Sequence, residues 1–473
     1  MNALSSLFSP YAVGVAARVG AQINGFALIM VASRALDLGA FGSYAIAWAV
    51  STIFTTLVYT GIYHVLLRTK ELERNADTFF WLQLGMGALG TFVMAAAGLL
   101  IGDIGARGTA FALLFLAPIP MIAVLGAWNE AQLMRDGWIR VTSLSVLASE
   151  VMGLIAALVM FHAGFGIEAL VASRYASTLF AVLLSSVIVQ RLPRLRFRRE
   201  VGRASLGEAW PLWGSATLAM LSNYGADLIL GAFLNAGAVG AYRAGSRVAN
   251  TAADVVLQPL AAISWARFAR LEAQSAQGEI RIAWKQNMAL GFALIAPVMV
   301  SISLLAEPIV EALFDPSWGA VAVIVSILSL GRATASMTFL LEPTMTCLGR
   351  ARVQFYVRLA GAVLMVAALL MFGRSSGEAA AAAVLLSNLA IALVSVVLMM
   401  SATKLKLAEL IEALVPGLGL TAVCVLLIYL LDPARGMMSP VAGLSMTITA
   451  LAVFWCAVVG TLLKRKVLIL PTP

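Results

Sequence analysis

Apolar runs of about twenty residues recur along the whole chain, separated by short polar connections, and each is long enough to cross a hydrocarbon core of roughly 30 Å as a helix. Fourteen can be drawn, over residues 11–32, 41–64, 78–101, 109–131, 141–163, 167–190, 209–232, 238–263, 286–306, 319–345, 354–373, 378–402, 412–431 and 439–463. The pattern predicts an all-α polytopic membrane protein.

Composition agrees. Of 473 residues, 61% are hydrophobic and only 12% charged, with a mean hydropathy of +0.95, far outside the range of soluble domains. The opening segment MNALSSLFSP has no basic n-region and no small-residue cleavage site follows the first apolar run, so that run is expected to stay as a helix. The net charge of +9 does not call for a nucleic-acid partner, because orientation accounts for most of the cations. If alternate connections are cytoplasmic, 22 of the 32 Lys and Arg lie on that side, among them Arg68, Lys70 and Arg74, the segment RLPRLRFRREVGR and the terminal KRK. The other side holds Arg34, Arg107, Arg374 and Arg435, which places both termini in the cytoplasm. Cys347, Cys424 and Cys456 are far apart within spans and read as packing residues.

The start of the second run repeats at the start of the eighth. LDLGAFGSY (36–44) aligns without gaps to LNAGAVGAY (234–242) in the pattern L-x-x-G-A-x-G-x-Y, at an offset of 198 residues. Six spans lie within that offset, an even number, so the repeats share one orientation and are related by an axis along the membrane normal. The expected organisation is a six-helix lobe over 1–203, a second over 204–403, and a terminal helix pair over 404–473 with a basic tail. The connection from Trp265 to Gln286 alternates aromatic and basic residues, and reads either as an amphipathic surface helix or as a solvated helix between spans.

Six arginines remain inside the spans: Arg18, Arg174, Arg243, Arg247, Arg332 and Arg358. A charge at the bilayer centre costs on the order of 2.5–3.5 kcal/mol on insertion scales, so each needs a reason. Arg18, Arg247 and Arg332 are too deep to reach an interface, whereas Arg243, Arg174 and Arg358 lie nearer span ends, where a long side chain can snorkel. In AYRAGSRVANTAADVV (241–256), Arg243, Arg247, Asn250 and Asp254 fall within about 60° of one another on a helix, a polar stripe roughly 16 Å long. The same face of the second run reads Trp48, Thr52, Thr56, Tyr59 and Tyr63, suited to sugar contacts or equally to ordinary packing with hydroxyls bound to backbone carbonyls.

Acids at depth are Glu150, Asp227, Asp254 and Glu342, with Glu130 close to an end. Two readings stand. The charges are static ion pairs, Asp227 with Arg247 for example. Alternatively, they line a cavity in which Arg18, Arg243, Arg247 and Arg332 hold an anion, Gln22, Asn250 and Tyr59 add polar contacts, and the four acids are candidates for binding a coupling H+ or Na+. The planar fork of Arg suits phosphate, and a diphosphate would match two or three forks.

No enzyme motif is supported. LGMGALG (84–90) contains G-x-G-x-x-G but lies inside the third run with no preceding strand, so its glycines read as helix-packing positions. There is no Walker A sequence, and His64 and His162 form no metal cluster. No cofactor is expected beyond a coupling ion.

The segments SRALDLGAFGSYAIAW, NAGAVGAYRAGSRVAN, EPIVEALFDPSWGAVAVIVSILSL and LGRARV resemble the Wzx-type polysaccharide exporters of the multidrug/oligosaccharidyl-lipid/polysaccharide (MOP) superfamily. The resemblance spans nearly the full length. It implies a flippase that moves a polyprenyl-diphosphate-linked oligosaccharide across a bacterial inner membrane for exported polysaccharide synthesis, with lobes that rock about a central cavity and use an ion gradient. The arginines would hold the diphosphate, and the polyprenyl tail would stay in lipid beside helices thirteen and fourteen. Membrane lipids, a polysaccharide polymerase and glycosyltransferases are the partners it implies. Related alternatives are a lipid II flippase and a multidrug cation antiporter, the latter expected to prefer an acid-dominated cavity. A membrane polysaccharide polymerase would need a long outer loop, and a non-transporting scaffold would not need charges at mid-depth.

Overall fold

A computed structural model describes residues 10–69, 71–103, 106–274 and 277–469; residues 1–9 and Lys70, read above for targeting and charge, lie outside the described residues. The described residues form α-helices joined by short connections and one 3₁₀ turn, with no strand among them. The chain divides into two compact units, residues 1–240 and 241–473.

In the first unit the helices are α1 (Pro10–Ser33), α2 (Leu38–Val58), α3 (Ile62–Arg68), α4 (Leu72–Asp103), α5 (Arg107–Leu116), α6 (Ile119–Arg135), α7 (Ile139–His162), α8 (Ile167–Val189) and α9 (Arg199–Phe233). α10 (Ala236–Ala273) starts at its end and runs into the second unit. There follow α11 (Gln277–Leu304), α12 (Ala306–Leu313), α13 (Val321–Ala333), α14 (Ala335–Thr338), α15 (Leu341–Cys347), α16 (Ala351–Phe372), α17 (Gly377–Thr403), α18 (Leu407–Gly436) and α19 (Pro440–Lys464).

Twelve helical stretches among the described residues are long and apolar enough to cross a membrane, and they coincide with twelve of the fourteen expected runs. The chain is a multi-pass membrane protein. The other two runs are α9 and α10, which at 35 and 38 residues are long enough to span but too polar to qualify on composition. These are the helices that carry Asp227 and the Arg243–Asp254 stripe.

Three of the twelve stretches are interrupted, and the causes differ. Leu38–Arg68 breaks between α2 and α3, where Gly61 takes φ +55° and the indole N–H of Trp213 donates to the Leu57 carbonyl at 2.9 Å. Arg107–Arg135 breaks before α6 at Pro118, which has no N–H to give the preceding turn. Val321–Cys347 is cut twice, at Thr334 and between α14 and α15.

Two features of the repeated segment have a structural meaning. Asp37 and its counterpart Asn235 are equivalent N-caps: Ala40 N–H donates to Asp37 Oδ1 at 2.7 Å and Ala238 N–H to Asn235 Oδ1 at 2.9 Å. Gly42 and its counterpart Gly240 meet across the two helix starts. A Cβ on Gly42 would lie 1.6 Å from the Ala236 carbonyl oxygen, and one on Gly240 would lie 2.2 Å from that of Leu38. Each motif packs on the other by the same residues, so both glycines are required by backbone approach. The glycines of LGMGALG divide: Gly87 abuts the Pro120 carbonyl of α6 and Gly90 the Phe54 ring of α2, while Gly85 faces open space.

The first unit packs on Trp128, fully buried among Val58, Ile62, Leu66, Phe79 and Val124, with its indole N–H donating to the Ala76 carbonyl at 2.8 Å. α9 joins this unit through Trp213 and through Thr56, whose hydroxyl donates to Met220 Sδ at 3.4 Å. The compact unit thus closes at Gly240, one helix beyond residue 203, the end of the first lobe in the sequence repeat.

The second unit packs on Trp284 with Phe268, Met288, Leu340 and Met345. α10 and α11 form an antiparallel pair, held by Asn287 donating to Ser264 at 3.0 Å and Arg267 to Gln286 at 2.8 Å. Most of the Trp265–Gln286 segment is thus the continuation of two helices rather than a separate surface helix. α18 lies along α11, fastened by the ion pairs Arg281–Glu409 and Lys285–Glu412. Cys347 and Cys424 are packing residues, as expected, whereas Cys456 is exposed on α19.

Candidate functional site

The candidate site residues fall on both units, and each unit gathers its own cluster of charges. In the second unit α10 buries Ala244, Gly245, Val248 and Ala249 and leaves Arg243, Arg247, Asn250 and Asp254 half-buried. The division follows from helical geometry: Gly245 points about 200° away from Arg243 and Arg247 and abuts Ile324 of α13. The stripe therefore lies on a different face of α10 from Gly245, and meets α13 where Arg332 reaches Asp254. Within it Asn250 donates to the Ser246 hydroxyl at 3.2 Å.

Arg332 reaches this stripe from the last turn of α13 and forms an ion pair with Asp254 through Nη2. The helix is interrupted two residues later, so the guanidinium sits at a carbonyl-rich helix end, where the dipole favours a cation. Both side chains keep 26% exposure. Nε of Arg332 is buried without a hydrogen-bond partner among the described residues. The fork is thus not used in the bidentate way typical of an Arg–carboxylate lock.

The first unit has a cluster that reading the sequence missed. Arg174 of α8 is only 12% exposed, and its guanidinium lies 4.5 Å from the centre of the Trp48 ring. Its Nε donates to the Tyr44 hydroxyl at 2.9 Å and its Nη1 to Glu150 at 3.4 Å. Tyr44 and Trp48 stack one turn apart on α2, with ring planes 4° apart. Instead of snorkelling to an interface, Arg174 is enclosed by a cation–π contact, a hydroxyl and a carboxylate. The spacing Tyr44-x-x-x-Trp48 was a usable signal, since it extends the aromatic face one turn earlier than Trp48.

Replacing Arg174 by Met strands the Glu150 carboxylate in this cluster. The expected result is a destabilisation of about 2–3 kcal/mol, and Arg174→Met with Glu150→Gln together should recover most of it. Thermal unfolding of the detergent-solubilised protein checks both.

The remaining candidates are placed as follows. Arg18 is exposed on α1 with Gln22 half-buried one turn on. Tyr59, at the break between α2 and α3, lies 6.0 Å ring to ring from Tyr63, whose hydroxyl donates to Glu130 at 3.3 Å. Thr52 spends its hydroxyl on the Trp48 carbonyl at 2.8 Å, the packing alternative for that face. Asp227 is fully buried on α9. Glu342 pairs with Arg358 at an exposed position. Of the four acids considered for ion coupling, Glu150, Asp254 and Glu342 therefore hold arginines. A shallow, open depression on one face of α19 is lined by Ser445, Met446, Thr449, Ala450, Val453 and Phe454.

The described residues thus define a multi-pass helical membrane protein with interrupted spans and arginine–carboxylate pairs, and comparison with known proteins narrows its class. The polysaccharide biosynthesis protein family matches residues 31–324, and the chain belongs to that family. The succinoglycan biosynthesis transport protein ExoT of Rhizobium meliloti (strain 1021) is 23% identical over 342 residues, 72% of this chain and 68% of its own. Among solved structures, the lipid II flippase MurJ in an inward closed conformation superposes with a TM-score of 0.74 at 12% identity, covering 96% of this chain and all of MurJ. An inward-facing multidrug resistance MATE family transporter of the MOP superfamily matches at TM-score 0.59 and 15% identity, over 84% of this chain and 96% of its own. The fold is that of the MOP flippases and exporters.

Proposed function

We propose that this chain is a flippase that carries a polyprenyl-diphosphate-linked oligosaccharide across a bacterial inner membrane for the synthesis of an exported polysaccharide. The observation that carries the reading is the α10 stripe with the Arg332–Asp254 pair, a set of guanidinium groups in runs expected to span, in a chain of the polysaccharide biosynthesis family. Its similarity to a succinoglycan transport protein and to a lipid II flippase supports a lipid-linked saccharide as cargo. In this reading Arg18, Arg243, Arg247 and Arg332 receive the diphosphate, and Gln22, Asn250 and Tyr59 contact the sugar. The depression on α19 is a place for the polyprenyl tail. Both termini face the cytoplasm, following the distribution of Lys and Arg.

Transport proceeds by alternating access driven by a H+ or Na+ gradient. Asp254 has a physical route into that cycle. An anion arriving at Arg332 competes with Asp254 for the guanidinium, and the released carboxylate becomes available to a cation. An exporter of organic cations is expected to prefer an acid-dominated cavity, whereas three of the four acids considered, Glu150, Asp254 and Glu342, hold arginines. A polymerase partner and glycosyltransferases would supply and consume the cargo.

Cells in which Arg247→Ala or Arg332→Ala replaces the native residue, compared at matched protein level, are expected to accumulate lipid-linked oligosaccharide and to export less polymer. Normal export from both variants would overturn the assignment of these arginines to the cargo.

A further inference from the structure

The segment between α8 and α9 is the most strongly basic stretch of the chain, and its construction is unusual for a loop. α8 ends at Val189, Gln190 takes a left-handed φ of 50°, and the chain then runs without helix to Arg199. Three groups on α4 hold its backbone. Arg194 N–H donates to Asp77 Oδ1 at 3.2 Å, the Trp81 indole donates to the Arg194 carbonyl at 2.9 Å, and Arg198 N–H donates to the Thr78 hydroxyl at 3.1 Å. Asp77 and Thr78 are themselves buried. The strap is thus fixed through its main chain, which leaves its side chains to point outward.

What it presents is mixed in a particular way. Arg194, Arg196, Arg198, Arg199 and Arg203 are exposed, against two exposed acids, Glu200 and Glu208. Interleaved with them, Leu192 is 76% exposed, Leu195 90%, Phe197 52% and, three turns into α9, Trp210 75%. Water is a poor environment for those apolar groups, and the hydrocarbon core is a poor one for the arginines. The headgroup boundary accepts both, with aliphatic and aromatic groups inserted below the phosphates and guanidinium groups level with them. The strap also starts where a 23-residue apolar span ends, so its height matches that boundary.

We propose that the strap and the first turns of α9 form a docking surface for anionic phospholipid headgroups, which seats this end of α4, α8 and α9 in one leaflet. The surface is separate from the α10 stripe and stands whether or not the cargo is a lipid-linked sugar. Recognition here rests on summed charge and on insertion of Leu192, Leu195 and Phe197, not on a shaped pocket. It should therefore depend on salt and tolerate lysine in place of arginine.

The test uses the full chain in nanodiscs of equal phosphatidylcholine and phosphatidylglycerol, with retained lipids counted by native mass spectrometry. Phosphatidylglycerol is expected to be enriched by about tenfold, and high salt should abolish most of that preference. The quadruple variant Arg194→Gln, Arg196→Gln, Arg198→Gln, Arg199→Gln should lose it, and the matching quadruple Arg→Lys variant should keep it. Enrichment that survives in the Gln variant, or that is insensitive to salt in the native chain, would overturn the proposal. Loss in the Lys variant as complete as in the Gln variant, with both chains eluting as intact species, would also overturn it, because a need for the guanidinium fork marks a specific diphosphate site.

Discussion

Gly42→Ala is expected to leave little correctly assembled protein. The added methyl would sit 1.6 Å from the Ala236 carbonyl oxygen, 2.5 Å from its carbon and 2.8 Å from Gly240 N, and none of these backbone atoms can rotate out of the way. Relief requires the two helix starts to separate by more than an ångström, which would disturb the start of α10 from Ala236 onward. Overpacking commonly costs about 1–3 kcal/mol, and this contact belongs at or above the upper end because the obstacle is main chain. Gly240→Ala, 2.2 Å from the Leu38 carbonyl oxygen, should behave alike. Gly85→Ala on α4 is the control: nothing lies within 4 Å of its added carbon, and a helix-favouring residue should be neutral or stabilising by up to about 1 kcal/mol. Size-exclusion profiles and thermal midpoints of the three variants distinguish these outcomes. A well-folded Gly42→Ala protein with a native midpoint would contradict the reciprocal packing of the repeats.

Arg332 and Asp254 should separate stability from function. Asp254→Ala leaves a guanidinium whose Nε has no hydrogen-bond partner among the described residues, and Arg332→Ala leaves a carboxylate, so each single change is expected to cost on the order of 2–3 kcal/mol, less than for a fully buried pair. The double change removes both charges and should recover most of that loss. Export should not recover, because the arginine that meets the anion is still missing. A double variant that regains polymer export along with its thermal midpoint would make the pair a structural lock. A static lock of this kind is one of the two roles that the sequence leaves open for charges inside spans.

Much of the architecture was legible because membrane helices write themselves in runs of about twenty apolar residues. The expected span 141–163 is α7 at Ile139–His162, and the expected span 439–463 is α19 at Pro440–Lys464. Breaks were harder. Pro118 signals the one before α6, but the interruption near Gly61 depends on an indole arriving from α9, and those around Thr334 and Phe339 have no proline. The repeat L-x-x-G-A-x-G-x-Y was visible in the sequence, whereas the reason for its second glycine was not, because that reason is the other copy of the motif. Charges inside spans were legible as residues that need a reason, but their partners come from neighbouring helices. Depth alone suggested that Arg174 and Arg358 reach out of the membrane; Arg358 is exposed and pairs with Glu342, whereas Arg174 is enclosed with Glu150. Arg174 is enclosed because α7 and α2 bring Glu150, Tyr44 and Trp48 around it, a juxtaposition that hydropathy does not encode.

The most direct test is translocation itself. The purified chain is reconstituted into proteoliposomes that carry a polyprenyl-diphosphate oligosaccharide in one leaflet, and the appearance of the sugar on the opposite face is followed with and without a H+ or Na+ gradient. Protein-dependent transfer that a gradient accelerates, and that falls by about tenfold or more in Arg332→Ala, is the predicted result. Transfer no faster than in protein-free vesicles, or transport of organic cations in its place, would contradict the account.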